Sequence, residues 1–399
     1  MQPIIIDEPY RFVPPYKGTF WVRMIQCWLP SLLRRTYGID EVEFRGTEYL
    51  RLSLAAGHSV ALTPNHCRPC DPLVMALLSK EVGQPFHYMA SWHLFKQGTW
   101  QAWLINRLGA FSVHREGMDR EAIRASSDIL VEAQRPLVLF PEGVISRTND
   151  VLRPFMEGIS LITNAAAKQK AKLNKPGLIV IHPVALKHVL LTNVEASLHQ
   201  VLDEIEARLL WRRQELPLVE RIVKLGEALL GLKELEYFGR VQSGEISSRL
   251  QALIDHLLNR LEAKWLGGKR QSTFLGRVKA LRAAILAEMI TGELSSEETA
   301  SRWQDLADIY LAVQLSSYPP NYARSKPTPE RLTETVERFE EDMTDKARIH
   351  GCWRVIIEID KPMEVGTGSD QSDYNFTGRL QRRVQEMLDD LNREREGTL

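Results

Sequence analysis

Three short apolar runs stand between turn-forming residues: SVALT at 59–63, PLVLF at 136–140 and LIVI at 178–181. Runs of this length and composition predict strands. Between them, apolar positions recur at helical spacing over 72–81, 94–108, 120–133 and 158–169. Short strands alternating with helices predict an α/β fold, a mostly parallel sheet flanked by helices. Such sheets take up ligands beyond the carboxyl ends of their strands. His66, Glu142 and His182 each fall just past one of the predicted ends.

The pattern changes after residue 194. Successive helices are expected to 350, punctuated by Pro217, Gly239, Gly267-Gly268, Gly292 and Pro319-Pro320. Val194, Leu198, Val201, Leu202, Ile205 and Leu209 form one apolar stripe, and Ser295 with Glu298 is a capping-box signal. No internal repeat stands out. Strand character returns at 354–359 (RVIIEI), with Pro362 after it, and 376–392 reads as an amphipathic helix. A strand after so long a helical stretch implies a large all-helical insertion before the last strand. A separate helical domain is the alternative. The chain thus divides into an N-terminal amphipathic segment (1–40), an α/β domain (41–194), a helical block (195–350) and a closing strand and helix (351–399).

The first segment carries a local asymmetry. Between Tyr10 and Ile39 there are five basic residues, Arg11, Lys17, Arg23, Arg34 and Arg35, and no acidic one. Phe20, Trp21, Met24, Ile25, Trp28, Leu29, Leu32 and Leu33 recur there at helical spacing. That pattern fits a helix in a membrane interface and equally a core-packed helix kinked at Pro30. No apolar run is long enough for a transmembrane helix, and MQPIIIDEPY has none of the marks of a secretory signal. A cytoplasmic protein, peripheral on the membrane face, is expected.

Composition narrows the picture a little. The 51 basic and 51 acidic residues balance, which removes any global electrostatic case for nucleic acid. Four cysteines in 399 residues are too few for a disulfide scaffold, and a reducing compartment is the default. Cys67 and Cys70 form a C-x-x-C, but no second pair or His pair follows to complete a metal site. No metal and no cofactor are expected. No nucleophile elbow, P-loop or dinucleotide fingerprint is present.

The chemistry concentrates in Asn65-His66-Cys67-Arg68-Pro69-Cys70-Asp71. On a regular helix His66 and Asp71 would point apart. Pro69 biases the preceding residue away from helical torsions, and Asp71-Pro72 reads as an N-cap followed by proline at the first helical position. A turn is therefore expected to bring the Asp71 carboxylate to the His66 ring. The carboxylate would fix one ring nitrogen as donor and leave the other as a base.

Four blocks together resemble the glycerolipid acyltransferase family of the lysophosphatidic acid acyltransferase type. The first is the N-H-x-x-x-x-D block at Asn65, His66 and Asp71. The second, G-x-x-F-I-x-R in the family, is here Gly109-Ala110-Phe111-Ser112-Val113-His114-Arg115. The third is Phe140-Pro141-Glu142-Gly143, and the fourth is an apolar strand leading into His182-Pro183-Val184-Ala185-Leu186. The resemblance covers roughly 40–190 and resumes at 352–392. It implies that His66 deprotonates an acceptor hydroxyl, which attacks the thioester of acyl-CoA or acyl carrier protein, with Asp71 orienting the histidine. Arg115 would bind an acceptor phosphate, Glu142 would hold acceptor hydroxyls or support the site, and Gly143 would let backbone approach the ligand. The acceptor it implies is 1-acylglycerol 3-phosphate or glycerol 3-phosphate.

The chain departs from the family pattern near that phosphate. Where T-R-S is usual, Val144-Ile145-Ser146 stands, and Arg147 is a candidate substitute for the lost arginine. Where P-F-K-x-G is usual, Met156 replaces the lysine. A tafazzin-like lysolipid acyltransferase with another head group is therefore an alternative. So is a non-catalytic lipid-binding or scaffold protein acting through its helical block, which could also mediate homo-oligomerisation.

Overall fold

The computed structural model describes residues 8–115, 119–212, 215–291, 294–319, 321–366 and 375–396. The predicted breaks at Gly292 and Pro320, and the first seven residues of the 1–40 segment, lie outside them. The chain separates into two compact units. One comprises the described residues of 11–114, 119–192 and 351–399, the other those of 193–350 together with 8–10 and Arg115.

In chain order the elements run α1 (Phe20–Tyr37), β1 (Ile39–Arg45), α2 (Thr47–Ala55), β2 (Ser59–Pro64), α3 (Asp71–Glu81), β3 (His87–Ser91), α4 (Thr99–Arg107) and β4 (Ala110–Val113). There follow α5 (Arg120–Glu132), β5 (Leu137–Val138), α6 (Gly158–Lys172) and β6 (Ile179–Leu190). Then come α7 (Glu195–Arg208), α8 (Leu218–Phe238), α9 (Ile246–Leu266), α10 (Phe274–Thr291), α11 (Ser296–Leu315), α12 (Tyr322–Ser325) and α13 (Pro329–Thr344). The chain closes with β7 (Trp353–Ile359), β8 (Met363–Glu364) and α14 (Phe376–Glu396).

The first unit is built on a mixed, mostly parallel sheet of order β1-β7-β6-β2-β5-β3-β4, with β8 pairing β6. The α/β expectation therefore holds, and the helical stretch does precede the closing strand. Among the described residues only β6 pairs antiparallel, with β7 and β8. One core cluster joins Ala61, Leu137 and Ile181 of the central strands to Leu130 of α5, Ile162 of α6, and Leu380 and Leu388 of α14.

Several predicted bounds shift. The 136–140 run contributes only Leu137–Val138 to the ladder, because the chain leaves the sheet toward Pro141, which has no N–H to donate. The helix expected over 94–108 begins at Thr99, after a 3-10 turn at Trp92–Phe95 and Gly98 at φ 152°. β1, β3 and β4 were not legible as strands, and β4 is the start of the second block itself. Helix α1 passes through Pro30 without ending.

The 178–181 strand runs much further than its apolar core. β6 pairs β2 from Ile179 opposite Ser59 to Val184 opposite Pro64. It then continues to Leu190, opposite Trp353 of β7. Beyond Val184 no strand among the described residues lies beside the β2-side edge of β6.

The second unit has an internal period that the sequence reading missed. Helices α8, α9 and α10 begin at Leu218, Ile246 and Phe274, 28 residues apart. An arginine in each first turn makes two bonds to a glutamate near the end of the preceding helix. Arg221 binds Glu206 at 3.1 and 2.8 Å, Arg249 binds Glu234 at 2.9 and 2.7 Å, and Arg277 binds Glu262 at 2.7 and 2.9 Å. Leu225, Leu253 and Leu281 recur at the same period and are fully buried, as do Leu230, Leu258 and Leu286. Arg302 of α11 binds Glu288 of α10 in a variant of the joint with a shorter link. Because so few positions recur, the repeat lies below what inspection of the sequence reveals. The capping box at Ser295 is formed as expected, the Ser295 hydroxyl accepting from Glu298 N–H and the Glu298 carboxylate accepting from Ser295 N–H.

The joints carry charge into the core: Glu262 is 3% exposed and Arg277 4%. Removing one partner of such a pair leaves a buried charge uncompensated, at a cost of about 3–5 kcal/mol, whereas replacing both with apolar residues is near neutral. Arg277→Met should therefore lower the urea midpoint of helical unfolding, followed by circular dichroism. The double variant Arg277→Met/Glu262→Leu should recover most of the loss.

Candidate active site

The turn after β2 is closed by its own carboxylate. Asp71 Oδ2 accepts from the Arg68 backbone N–H at 2.8 Å and from His66 Nδ1 at 2.9 Å. The structure thus brings His66 and Asp71 together. The N-cap of α3 is Cys70 rather than Asp71. Asp71 is the first helical residue and its side chain reaches backward into the turn, because Arg68 N–H is the nearer orphan donor. Its place in the first turn also puts the carboxylate at the positive end of the helix dipole. With Nδ1–H donating to a carboxylate, the lone pair of the neutral His66 ring is on Nε2. The side chain is 14% exposed and its ring lies 4.2 Å, centroid to centroid, from the ring of Phe140.

The His66 backbone is held from both sides by the loop after β5. Its N–H donates to Glu142 Oε1 at 2.7 Å, and its carbonyl accepts from Ser146 N–H at 2.7 Å. Glu142 Oε2 accepts from Arg153 N–H at 2.9 Å. The Glu142 side chain is fully buried, so both its oxygens face main-chain amides. Burial pushes this carboxyl up to about 7, while the two amide bonds pull the other way. Gly143 beside it sits at φ 69°, and a Cβ there would meet Met156 Sδ at 2.3 Å. Met156, where the resembled family has lysine, fills the space that glycine leaves.

The open edge of β6 is covered by two asparagine amides. Asn65 donates from Nδ2 to Leu186 O at 3.0 Å and accepts Leu186 N–H at 2.7 Å. Asn149 does the same for His188, accepting its N–H at 2.8 Å and donating to its carbonyl at 2.5 Å. Each side-chain amide imitates a strand partner. Asn65 thereby pins the His66 turn to the sheet, and Asn149 pins the loop that holds Glu142.

His188 was not a site candidate in the sequence. Its Nε2 lies 2.9 Å from Asp71 Oδ1, and both side chains are 0% exposed. The only available signal was strand parity, which puts Leu186 and His188 on one face of a β6 longer than its apolar run suggests. Burial alone would raise the Asp71 carboxyl, but bonds from His188 and His66 hold it well below its ordinary range. Burial lowers His188 despite its bond to Asp71. Cys67 Sγ also lies within 4.8 Å of ligand-type atoms of Asp71 and His188. Asp71 and His188 are committed to each other by a hydrogen bond, and Cys67 lies beside that pair.

The other candidates are more dispersed. His182 does not lie beyond a strand end. It is inside β6, where Nδ1 donates to the Asp360 carbonyl at 2.7 Å and Nε2 accepts from the Ser53 hydroxyl at 2.9 Å. Arg147 is half-buried in the same loop as Glu142, at φ 60°. Arg115 follows β4 and groups with the helical unit.

Residues 41–187 match the family model described as Acyltransferase. A search of curated proteins returns no match to the chain. The matched span takes in the His66 turn, the Glu142 loop and β6 as far as Lys187.

Glu142 offers a direct check of the geometry. In Glu142→Gln an NH2 must face one of two main-chain amides, leaving a buried donor unpaired at about 1–3 kcal/mol. The thermal midpoint should fall near pH 5. The raised Glu142 carboxyl contributes stability that is full below its ordinary value of 4.5 and is lost as pH rises through about 7. The gap between wild type and variant should therefore narrow from pH 5 to pH 8.

Proposed function

Residues 41–187 are an acyltransferase-family domain, and we propose that the enzyme moves a fatty acyl group from acyl-CoA to a hydroxyl of a glycerolipid acceptor at a membrane surface. The observation that carries this reading is the His66–Asp71 bond at 2.9 Å inside that domain. His66 Nε2 takes the proton from the acceptor hydroxyl, whose oxygen attacks the thioester carbonyl. Asp71 stabilises the imidazolium that forms. The tetrahedral intermediate collapses, its C–S bond breaks, and the departing thiolate takes the proton from His66. The acceptor is itself the nucleophile, so no acyl-enzyme is formed.

The acceptor is 1-acylglycerol 3-phosphate or glycerol 3-phosphate, with Arg147 and Arg115 as phosphate ligands. One observation favours a lysolipid with another head group: Met156 occupies the lysine position and packs on Gly143. Thiol release from palmitoyl-CoA across a panel of acceptors separates the two. His66→Ala should reduce acceptor-dependent release by about 10²–10⁴-fold without loss of fold. Normal turnover in that variant would remove the mechanism.

Lipid contact is supported by α1. Its inner face buries Val22, Ile25, Leu29 and Leu33, and Gln26 donates to Ala76 O and Ser79 Oγ of α3. Its outer face exposes Phe20 (67%), Met24 (41%), Trp28 (74%) and Leu32 (38%) at four-residue spacing. Trp103 of α4 stands edge-on between Trp21 and Trp100, and Trp100 is exposed. Arg23 and Arg35 are exposed on the same helix. Tryptophans beside arginines suit an anionic interface. No helix among the described residues is long and apolar enough to cross a membrane. Phe20→Ser/Trp28→Glu should weaken co-sedimentation with phosphatidylglycerol vesicles by more than about tenfold. Unchanged binding would assign the stripe another role.

A further inference from the structure

His188 has no place in the two-residue mechanism, yet it is bonded to one oxygen of the base's carboxylate partner. Asp71 Oδ2 is shared between His66 and the Arg68 amide, while Oδ1 faces His188 Nε2 at 2.9 Å. We infer, on the acyl-transfer reading above, that His188 is a positioning residue: its Nε2–H fixes the orientation of the Asp71 carboxylate and draws off part of the negative charge that Asp71 presents to His66.

Three observations carry this. The ring is held in place before any ligand arrives, since Asn149 clamps the His188 main chain through both its N–H and its carbonyl. The ring's proton is assigned by its neighbours: Asp71 is an acceptor, so Nε2 carries the hydrogen. His188 Nδ1 is buried without a hydrogen-bond partner. A second proton there would be a buried unpaired donor, so the ring is neutral and its polar function is the single bond to Asp71. A histidine kept only for packing would not need to face the carboxylate, and an apolar side chain would avoid the orphaned Nδ1.

The charged surroundings act in known directions. Arg68 on the turn and Lys187 on β6 both disfavour a charged His188. Glu142, on the loop after β5, is disfavoured as an anion by Asp71 and favoured by Arg153. The Cys67 thiol also lies close to Asp71 and His188. Within this set, His188 is the neutral donor that tempers Asp71. Without it, more of the carboxylate's charge falls on Oδ2, and His66 holds its proton more tightly. A base that releases its proton reluctantly returns it slowly to the departing thiolate.

The test compares His188→Gln, whose amide can still donate to Asp71, with His188→Leu, which cannot. The His66 titration is read by ¹H–¹⁵N spectra of protein labelled at histidine, with His66→Ala identifying the signal. His188→Leu should raise the His66 titration by about one pH unit and move the acid limb of kcat/KM the same way. Its kcat should fall about 10–100-fold with the acceptor KM unchanged. His188→Gln should stay within about threefold of wild type. Should the leucine variant not fold, His188→Met, equally without a donor, takes its place. An unmoved His66 titration in a folded donorless variant overturns the inference, as does a glutamine variant as impaired as the leucine one. The titration needs no substrate. Turnover that survives His66→Ala would sink the acyl-transfer reading and still leave the bond between His188 and Asp71 decided.

Discussion

A strand that outruns its neighbour leaves backbone donors and acceptors without a ladder, and each buried one left so costs about 1–3 kcal/mol. β6 does this past Val184, where Leu186 and His188 turn their main-chain groups to the edge that β2 no longer covers. The two asparagine side chains that repair the edge are also what bring the site together. Asn65 belongs to the turn that carries His66, and Asn149 to the loop that carries Glu142. One backbone requirement thus sets the separation of the base, its carboxylate and the loop that grips the base's main chain.

The carboxylates divide their work according to what faces them. Asp71 meets a main-chain amide and two imidazole nitrogens, and these bonds outweigh the burial that opposes its charge. Glu142 meets two amides and the charge of Arg153, and burial outweighs them, so its carboxyl is pushed up to about 7. Their chemistry therefore separates by environment, a pattern that distinguishes paired acids elsewhere. Asp71 can answer a charge that appears on His66, and Glu142 shapes the backbone from which His66 projects.

Much of this was legible in the residues. The alternation of short apolar runs and amphipathic stretches gave the fold class, and Pro69 with Asp71-Pro72 gave the turn. The lengths of elements were less accessible, because pairing sets them. PLVLF looks like a full strand yet lends two residues to the sheet, and LIVI is the start of a strand three times its length. His188 was invisible for the same reason: its importance depends on how far β6 runs. The 28-residue joints of the helical unit were missed because a salt-bridged arginine and glutamate look like ordinary surface charges until the packing buries them.

The order of the elements along the chain also has a consequence in time. β7 is the partner of both β1 and the far half of β6, and it lies beyond the whole helical block. Ile39 must wait for Trp353. At roughly 5–20 residues per second, a ribosome takes on the order of 10–30 s to cross the stretch between β6 and β7. During that interval the nascent sheet exposes β6 as a long, apolar, unprotected edge, the kind that recruits other strands. The helical block has joints spanning only 15 residues and can form meanwhile. The newborn chain is thus most exposed to aggregation after the His66 turn and β6 have been made and before the strand that completes their sheet has emerged.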